Sequence, residues 1–128
     1  MKAQESFNYT LNLKLRTNRI FFGSGVVELL QRISQTRSLN TAAKQMHMSY
    51  NKAWRMIKKA EEELGYPLIN TTIGGHNGGG STVTTEGKHL TAKFLLFQKK
   101  TYQITNQYFV EIFKDELNSE LVELEERE

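Results

Sequence analysis

Cysteine is absent from this 128-residue chain, so neither a disulfide framework nor a thiolate metal site is available, and an intracellular, cytoplasmic protein is expected. No apolar run approaches the ~18 residues that a membrane-spanning helix needs, and the N-terminus lacks the apolar core of a secretory signal. Histidine occurs only at His47, His76 and His89, with no carboxylate or second histidine at ligand spacing. No Ser/His/Asp order or carboxylate pair suits a hydrolytic centre, so no enzyme, metal or cofactor is expected. The Gly23–Ser24–Gly25 run lacks the lysine of a phosphate-binding loop and the longer dinucleotide pattern, and reads as a turn.

Charge is present but unevenly placed. Residues 1–60 carry eleven Lys and Arg against two acids, whereas residues 61–128 carry six against twelve. A basic front and an acidic back suggest a nucleic-acid surface on one side and a different task on the other.

The basic half centres on Ser38 to Leu64, which reads as two helices joined by a tight turn. At about 100° per residue, Asn51, Arg55 and Lys58 share one stripe of the second helix, flanked by Lys52 and Lys59 on one side and Trp54 on the other. Ala53, Ile57, Ala60 and Leu64 share a second stripe roughly 200° away. An apolar rear with a hydrogen-bonding, cationic front is what a helix in a DNA major groove requires. Leu39, Ala42, Ala43 and Met46 form the buried stripe of the supporting helix, capped by Ser38 or Asn40; Ser49 caps the second. His47–Met48 leaves room only for a helix-turn-helix turn. An ordinary helical hairpin in a core uses the same apolar pattern, and the basic front separates the two readings.

Gly65, Tyr66 and Pro67 stop that helix. Leu68–Ile73 and Ser81–Thr84 read as two strands around the loop Gly74–Gly80, whose five glycines suit close approach to a nucleic-acid backbone. A hairpin in this place is a wing, with His76 and Asn77 at its tip. Upstream, Tyr9, Leu11, Leu13 and Leu15 alternate with polar residues, Thr17–Asn18 can turn, and Ile20–Phe22 can return, which predicts a β-hairpin within residues 1–22. A helix follows with Val26, Leu29, Leu30 and Ile33 on one face.

GSGVVELLQRI (23–33), SLNTAAKQMHMSYNKAW (38–54), ELGYPLI (63–69) and TTIGGHNGGGSTVTTEGKHL (71–90) together resemble the N-terminal winged helix-turn-helix domain of the molybdate-responsive ModE regulators. The LysR-type DNA-binding domains are similar more distantly, through the Ala pair, the ELGxPL stop and the T-x-x-G helix start. The resemblance implies DNA binding and extends the contact set to Tyr50. It does not carry over oxyanion sensing: after Leu95 nothing reads as the β-rich molybdate-binding domains, and no molybdate site is visible.

From Glu86 the chain holds no Pro and, after Gly87, no Gly, so one long helix or two with a bend are expected, ending in an acidic tail. Leu90, Phe94, Phe97 and Ile104 form one apolar series; Phe109, Phe113, Leu117 and Leu121 form another. The second series is expected to pack on a second copy.

The expectation is therefore a mainly α protein with small β (α+β): an N-terminal β-hairpin (1–22), a winged helix-turn-helix DNA-binding domain (23–95) and a C-terminal dimerisation helix with an acidic tail (96–128). The function expected is a bacterial-type transcriptional regulator binding a palindromic site in double-stranded DNA as a homodimer. Asn51 and Arg55 would read bases, and Lys52, Lys58 and Lys59 would touch phosphate. Ser49, Tyr50, His76 and Asn77 complete the contacts, with Trp54 mainly packing. The competing reading is a protein-interaction or architectural module on the same scaffold.

Overall fold

A computed structural model describes residues 6–72 and 80–119. The elements run β1 (Leu15–Arg16), β2 (Ile20–Phe22), α1 (Ser24–Thr36), α2 (Leu39–Gln45), α3 (Tyr50–Leu64), β3 (Ile69–Thr72), β4 (Gly80–Val83) and α4 (Thr85–Ile112). The chain divides into two compact units, one of Leu13–Leu95 and one of the N-terminal segment with residues from Leu96 onward. The fold is mostly helical with two small antiparallel hairpins, as the sequence predicts.

In the larger unit, the predicted stripes of α1, α2 and α3 meet in one core. Leu29, Ile33, Ala42, Ala53, Ile57, Ala60 and Leu68 are fully buried. Each large member contributes about 1.5–3 kcal/mol relative to an exposed position. Alanines at 42, 43 and 53 let α2 and α3 approach closely, while Phe22 meets the edge of Phe94 at 5.5 Å between ring centroids. Ser38 Oγ accepts from the Thr41 N–H at 3.0 Å, resolving the choice between Ser38 and Asn40. Ser49 Oγ likewise accepts from the Lys52 N–H at 3.1 Å. The turn between α2 and α3 passes through His47 at φ 56°, left-handed without a glycine.

The first hairpin is shorter than predicted. Only Leu15–Arg16 pairs with Ile20–Phe22, with an irregularity between Leu15 and Arg16. The reason is length: Gly23 and α1 follow β2 at once, so residues 9–14 have no strand opposite them. Their alternation survives without a ladder, since Leu11 and Leu13 are half-buried while Thr10, Asn12 and Lys14 are exposed. The hairpin turn is tied to the end of α3, where Glu63 accepts from the Thr17 hydroxyl and from Arg19 Nε at 2.5 Å, and Glu62 accepts from Arg19 Nη2 at 2.9 Å.

β3 and β4 pair in register from Ile69↔Val83 to Thr72↔Gly80, directly after α3. The wing strands are thus present, while residues 73–79, including His76 and Asn77, lie outside the described residues. Thr84 caps the start of α4, its hydroxyl accepting from the Gly87 N–H at 2.9 Å.

In the smaller unit, residues 6–12 run along α4. Phe7 stacks on Phe109 at 5.7 Å, Tyr9 meets Phe109 at 4.8 Å, and Phe7 also reaches Phe113 at 5.6 Å. The Tyr102 hydroxyl donates to the Leu11 carbonyl at 2.8 Å, and the Tyr9 hydroxyl to Asn106. The series expected to await a second chain is therefore partly met by this chain's own Phe7 and Tyr9. Leu121 lies outside the described residues. The other expected series divides: Leu90 and Phe94 belong to the core, whereas Phe97 and Ile104 are exposed. α4 ends at Ile112, Phe113 is a turn residue and helix resumes over 114–119, the two-part alternative, although the Phe113 N–H still donates to the Phe109 carbonyl at 3.0 Å and its carbonyl accepts from the Leu117 N–H at 3.1 Å. Among the described residues no helix is long and apolar enough to cross a membrane.

Candidate nucleic-acid interface

α3 is fixed from both ends. Ser49 closes its start, Gly65 at φ 80° closes its end by donating to the Glu61 carbonyl at 2.8 Å, and Ala53, Ile57 and Ala60 fasten its rear. With the rear buried, the helical period turns the remaining positions outward. Ser49, Tyr50, Asn51, Lys52, Arg55 and Lys59 are all exposed. The side chains of Asn51, Lys52 and Arg55 make no hydrogen bond or ion pair among the described residues. Hydrogen-bonding and cationic groups left unpaired on one rigid face are available to an external acceptor.

Lys58 differs from the other cations. Its Nζ is 3.0 Å from Glu61 Oε1 and 5.6 Å from the centroid of the Trp54 ring, so the ammonium lies between a carboxylate and an aromatic face. Trp54 is 44% exposed and Tyr50 46% exposed. The expectation that Trp54 mainly packs is therefore corrected. The core is formed without it, by Leu39, Ala42, Ala43, Ala53 and Ile57 among others, and the indole stands on the surface beside Lys58.

Glu61 was absent from the sequence-predicted set. Its Oε2 accepts from the Leu68 N–H at 2.7 Å and the Ile69 N–H at 3.3 Å, where the first wing strand begins. The Leu68 carbonyl accepts from the Thr84 N–H at 2.9 Å, and the Thr84 hydroxyl donates to the Pro67 carbonyl at 2.8 Å. The end of α3, both roots of the wing and the start of α4 thus meet around one peptide unit. The i,i+3 spacing of Lys58 and Glu61 is a sequence signal for their pairing. No sequence signal marks the two amides seven and eight residues away.

The model of the bacterial regulatory helix-turn-helix proteins of the lysR family matches residues 26–88. The transcriptional regulator ModE of Haemophilus influenzae is 32% identical over 106 residues, covering 83% of this chain and 39% of that protein. The molybdenum transport protein ModE of Herbaspirillum seropedicae is 32% identical over 97 residues, covering 76% and 34%. The DNA-binding transcriptional dual regulator ModE of Escherichia coli K12 is 29% identical over 97 residues, covering 73% and 37%. This chain thus spans less than two fifths of the length of these relatives. The crystal structure of a CbnR_DBD–DNA complex shares the fold, with a TM-score of 0.52 at 16% identity over 69% of this chain and 95% of that one. Together with the helix-turn-helix and the two wing strands observed here, these likenesses show that residues 26–88 are a LysR-type helix-turn-helix domain whose homologues are the ModE regulators.

Proposed function

We propose that this chain is a sequence-specific, DNA-binding transcriptional regulator, without catalytic activity and located in the cytoplasm, that binds a palindromic site as a homodimer. The observation that carries the reading is the exposed, unpaired front of α3 beside a wing, in a helix-turn-helix domain of a regulator family. Asn51 and Arg55 reach base edges, where asparagine pairs with adenine and arginine with guanine in bidentate fashion. Lys52, Lys58 and Lys59 contact phosphates, Ser49 bonds a phosphate beside its capping role, and Tyr50 lies against the backbone. His76 and Asn77 supply polar groups at the wing tip. Residues 23–95 form the DNA-binding domain, residues 1–22 its N-terminal hairpin, and residues 96–128 the dimerisation element.

The dimer forms through a different face of α4 from the Phe109–Phe113 series. Phe97, Ile104, Tyr108 and Ile112 recur at intervals of seven, four and four residues, and each is at least half exposed. At about 100° per residue they share a single stripe, centred roughly 135° around the helix from the one that Phe7 and Tyr9 cover. A second copy supplies the matching surface by two-fold symmetry. It also supplies the second recognition helix that a genomic site demands, with half-sites about 34 Å apart or a multiple.

Selection of bound duplexes from a random pool tests the reading. The parent protein is expected to enrich a palindrome. Arg55→Ala is expected to relax one base position per half-site at a loss of about 1–3 kcal/mol, and Lys59→Ala to weaken all sequences alike. No enrichment by the parent, or the same relaxed position in both variants, overturns it.

A further inference from the structure

Glu61 uses its two carboxylate oxygens for different tasks. The side chain is only 12% exposed, yet it lies on the ridge of α3 that carries Trp54 and Lys58. Oε1 holds the Lys58 ammonium and Oε2 holds the amides of Leu68 and Ile69. The charge of Lys58 is thereby partly cancelled in the free protein, whereas Lys52 and Arg55 stand with no carboxylate beside them among the described residues.

We propose that Glu61 is a positioning residue that sets DNA specificity, by withholding Lys58 from phosphates of unrelated sequence and by fixing the wing root to the recognition helix. The proposal rests on the DNA-binding reading above. Contacts to phosphate supply nearly all of non-specific binding, and each adds about 0.9 to the slope of log affinity against log salt. A cation tied to a neighbouring carboxylate contributes little to that term in a loose, unregistered encounter. In the registered complex a phosphate is presented at one place, and it takes Lys58 from Glu61. The exchange is feasible because a partly exposed ion pair is weak, equivalent to about a two- to fivefold factor in an equilibrium. Meanwhile Oε2 keeps its amides, so the wing does not shift when Lys58 changes partner.

Glu61→Gln retains an acceptor oxygen for the two amides and loses the charge that holds Lys58. Its unfolding midpoint is expected to stay near that of the parent. Affinity for random duplex should rise about two- to fivefold, with the salt slope steeper by up to about 0.9, while affinity for the selected site changes less. In a Lys58→Ala background the same substitution should leave both slopes where they are. Lys58→Ala alone keeps Glu61 and the wing root intact. It should lower the slope on the selected site by about 0.9 and leave the random-duplex slope unchanged. A Glu61→Gln effect of equal size without Lys58 would overturn the proposal, since mere removal of a negative charge would explain it. So would an equal loss of slope on both duplexes in Lys58→Ala. A parent protein with no sequence preference would instead refute the DNA-binding reading itself.

Discussion

Gly87 lies in the first turn of α4, where replacing glycine by alanine normally gains about 1 kcal/mol of helix propensity. Here the sign is expected to reverse. A Cβ on Gly87 would stand 2.8 Å from the Leu68 carbonyl oxygen, 2.9 Å from Val83 Cγ1 and 3.1 Å from Thr84 Oγ1. The valine methyl can yield. The carbonyl is held, because Leu68 is bonded on both sides of its peptide, by Glu61 at its N–H and by the Thr84 N–H at its oxygen. Relief therefore means moving α4 off the wing root, at an overpacking cost of about 1–3 kcal/mol. The same movement breaks the 2.9 Å cap from the Gly87 N–H to Thr84, worth about 1 kcal/mol. Against the propensity gain, the net loss for Gly87→Ala is about 1–3 kcal/mol. Urea unfolding followed by circular dichroism reads this directly: with a slope of about 1–3 kcal/mol/M, the midpoint should fall by roughly 1 M. A midpoint equal to or above that of the parent would refute the reasoning, because propensity would then have outweighed the close approach.

His47 sits in the helix-turn-helix turn at φ 56°, a region that costs an L-residue about 1–2 kcal/mol. His47→Gly should therefore be neutral or stabilising by up to about 1 kcal/mol in thermal unfolding, and His47→Val destabilising; the reverse order would contradict the assigned backbone. Hydrogen bonds from the Thr17 hydroxyl and then Arg19 hold the Glu63 carboxyl below its ordinary value of 4.5. A depressed carboxylate stabilises the fold above its unfolded pKa and loses that contribution as pH falls through the lower, folded value. The stability difference between parent and Glu63→Gln should accordingly shrink below about pH 4.5, and a difference independent of pH would dissociate Glu63 from the hairpin tie. Ile104→Glu places a charge in the exposed stripe of α4 and should convert a dimer to a monomer in sedimentation at micromolar concentration, with unchanged helicity. A parent that is already monomeric would remove the dimer.

The helix-turn-helix was readable because it is written in local terms. The apolar stripes of α1, α2 and α3, the serine caps at Ser38 and Ser49, and the Gly65–Pro67 stop all act within a few residues of themselves. Helical periodicity then sorts Asn51, Lys52 and Arg55 from Ala53 and Ile57 without knowledge of the partner helices. The wing strands were equally legible, since turn residues bracket short β-forming runs. The N-terminal strand was over-read for a related reason. Alternation reports which residues are half-buried, and it reads the same whether the cover is a paired strand or, as for Tyr9, the aromatic side of α4.

The order of the elements, the buried faces of α1, α2 and α3 and the outward front of the recognition helix follow from backbone periods and caps that operate locally, and so are legible along the chain. Three further features arise only on packing. Phe109 and Phe113 are met by Phe7, leaving Phe97, Ile104, Tyr108 and Ile112 as the open stripe. Trp54 stands exposed over Lys58. Glu61 reaches past its helix to the amides of Leu68 and Ile69. Each of these depends on which groups from distant parts of the chain arrive at the same place. That is settled by how the packed elements fill space, and no period or propensity along the chain encodes it.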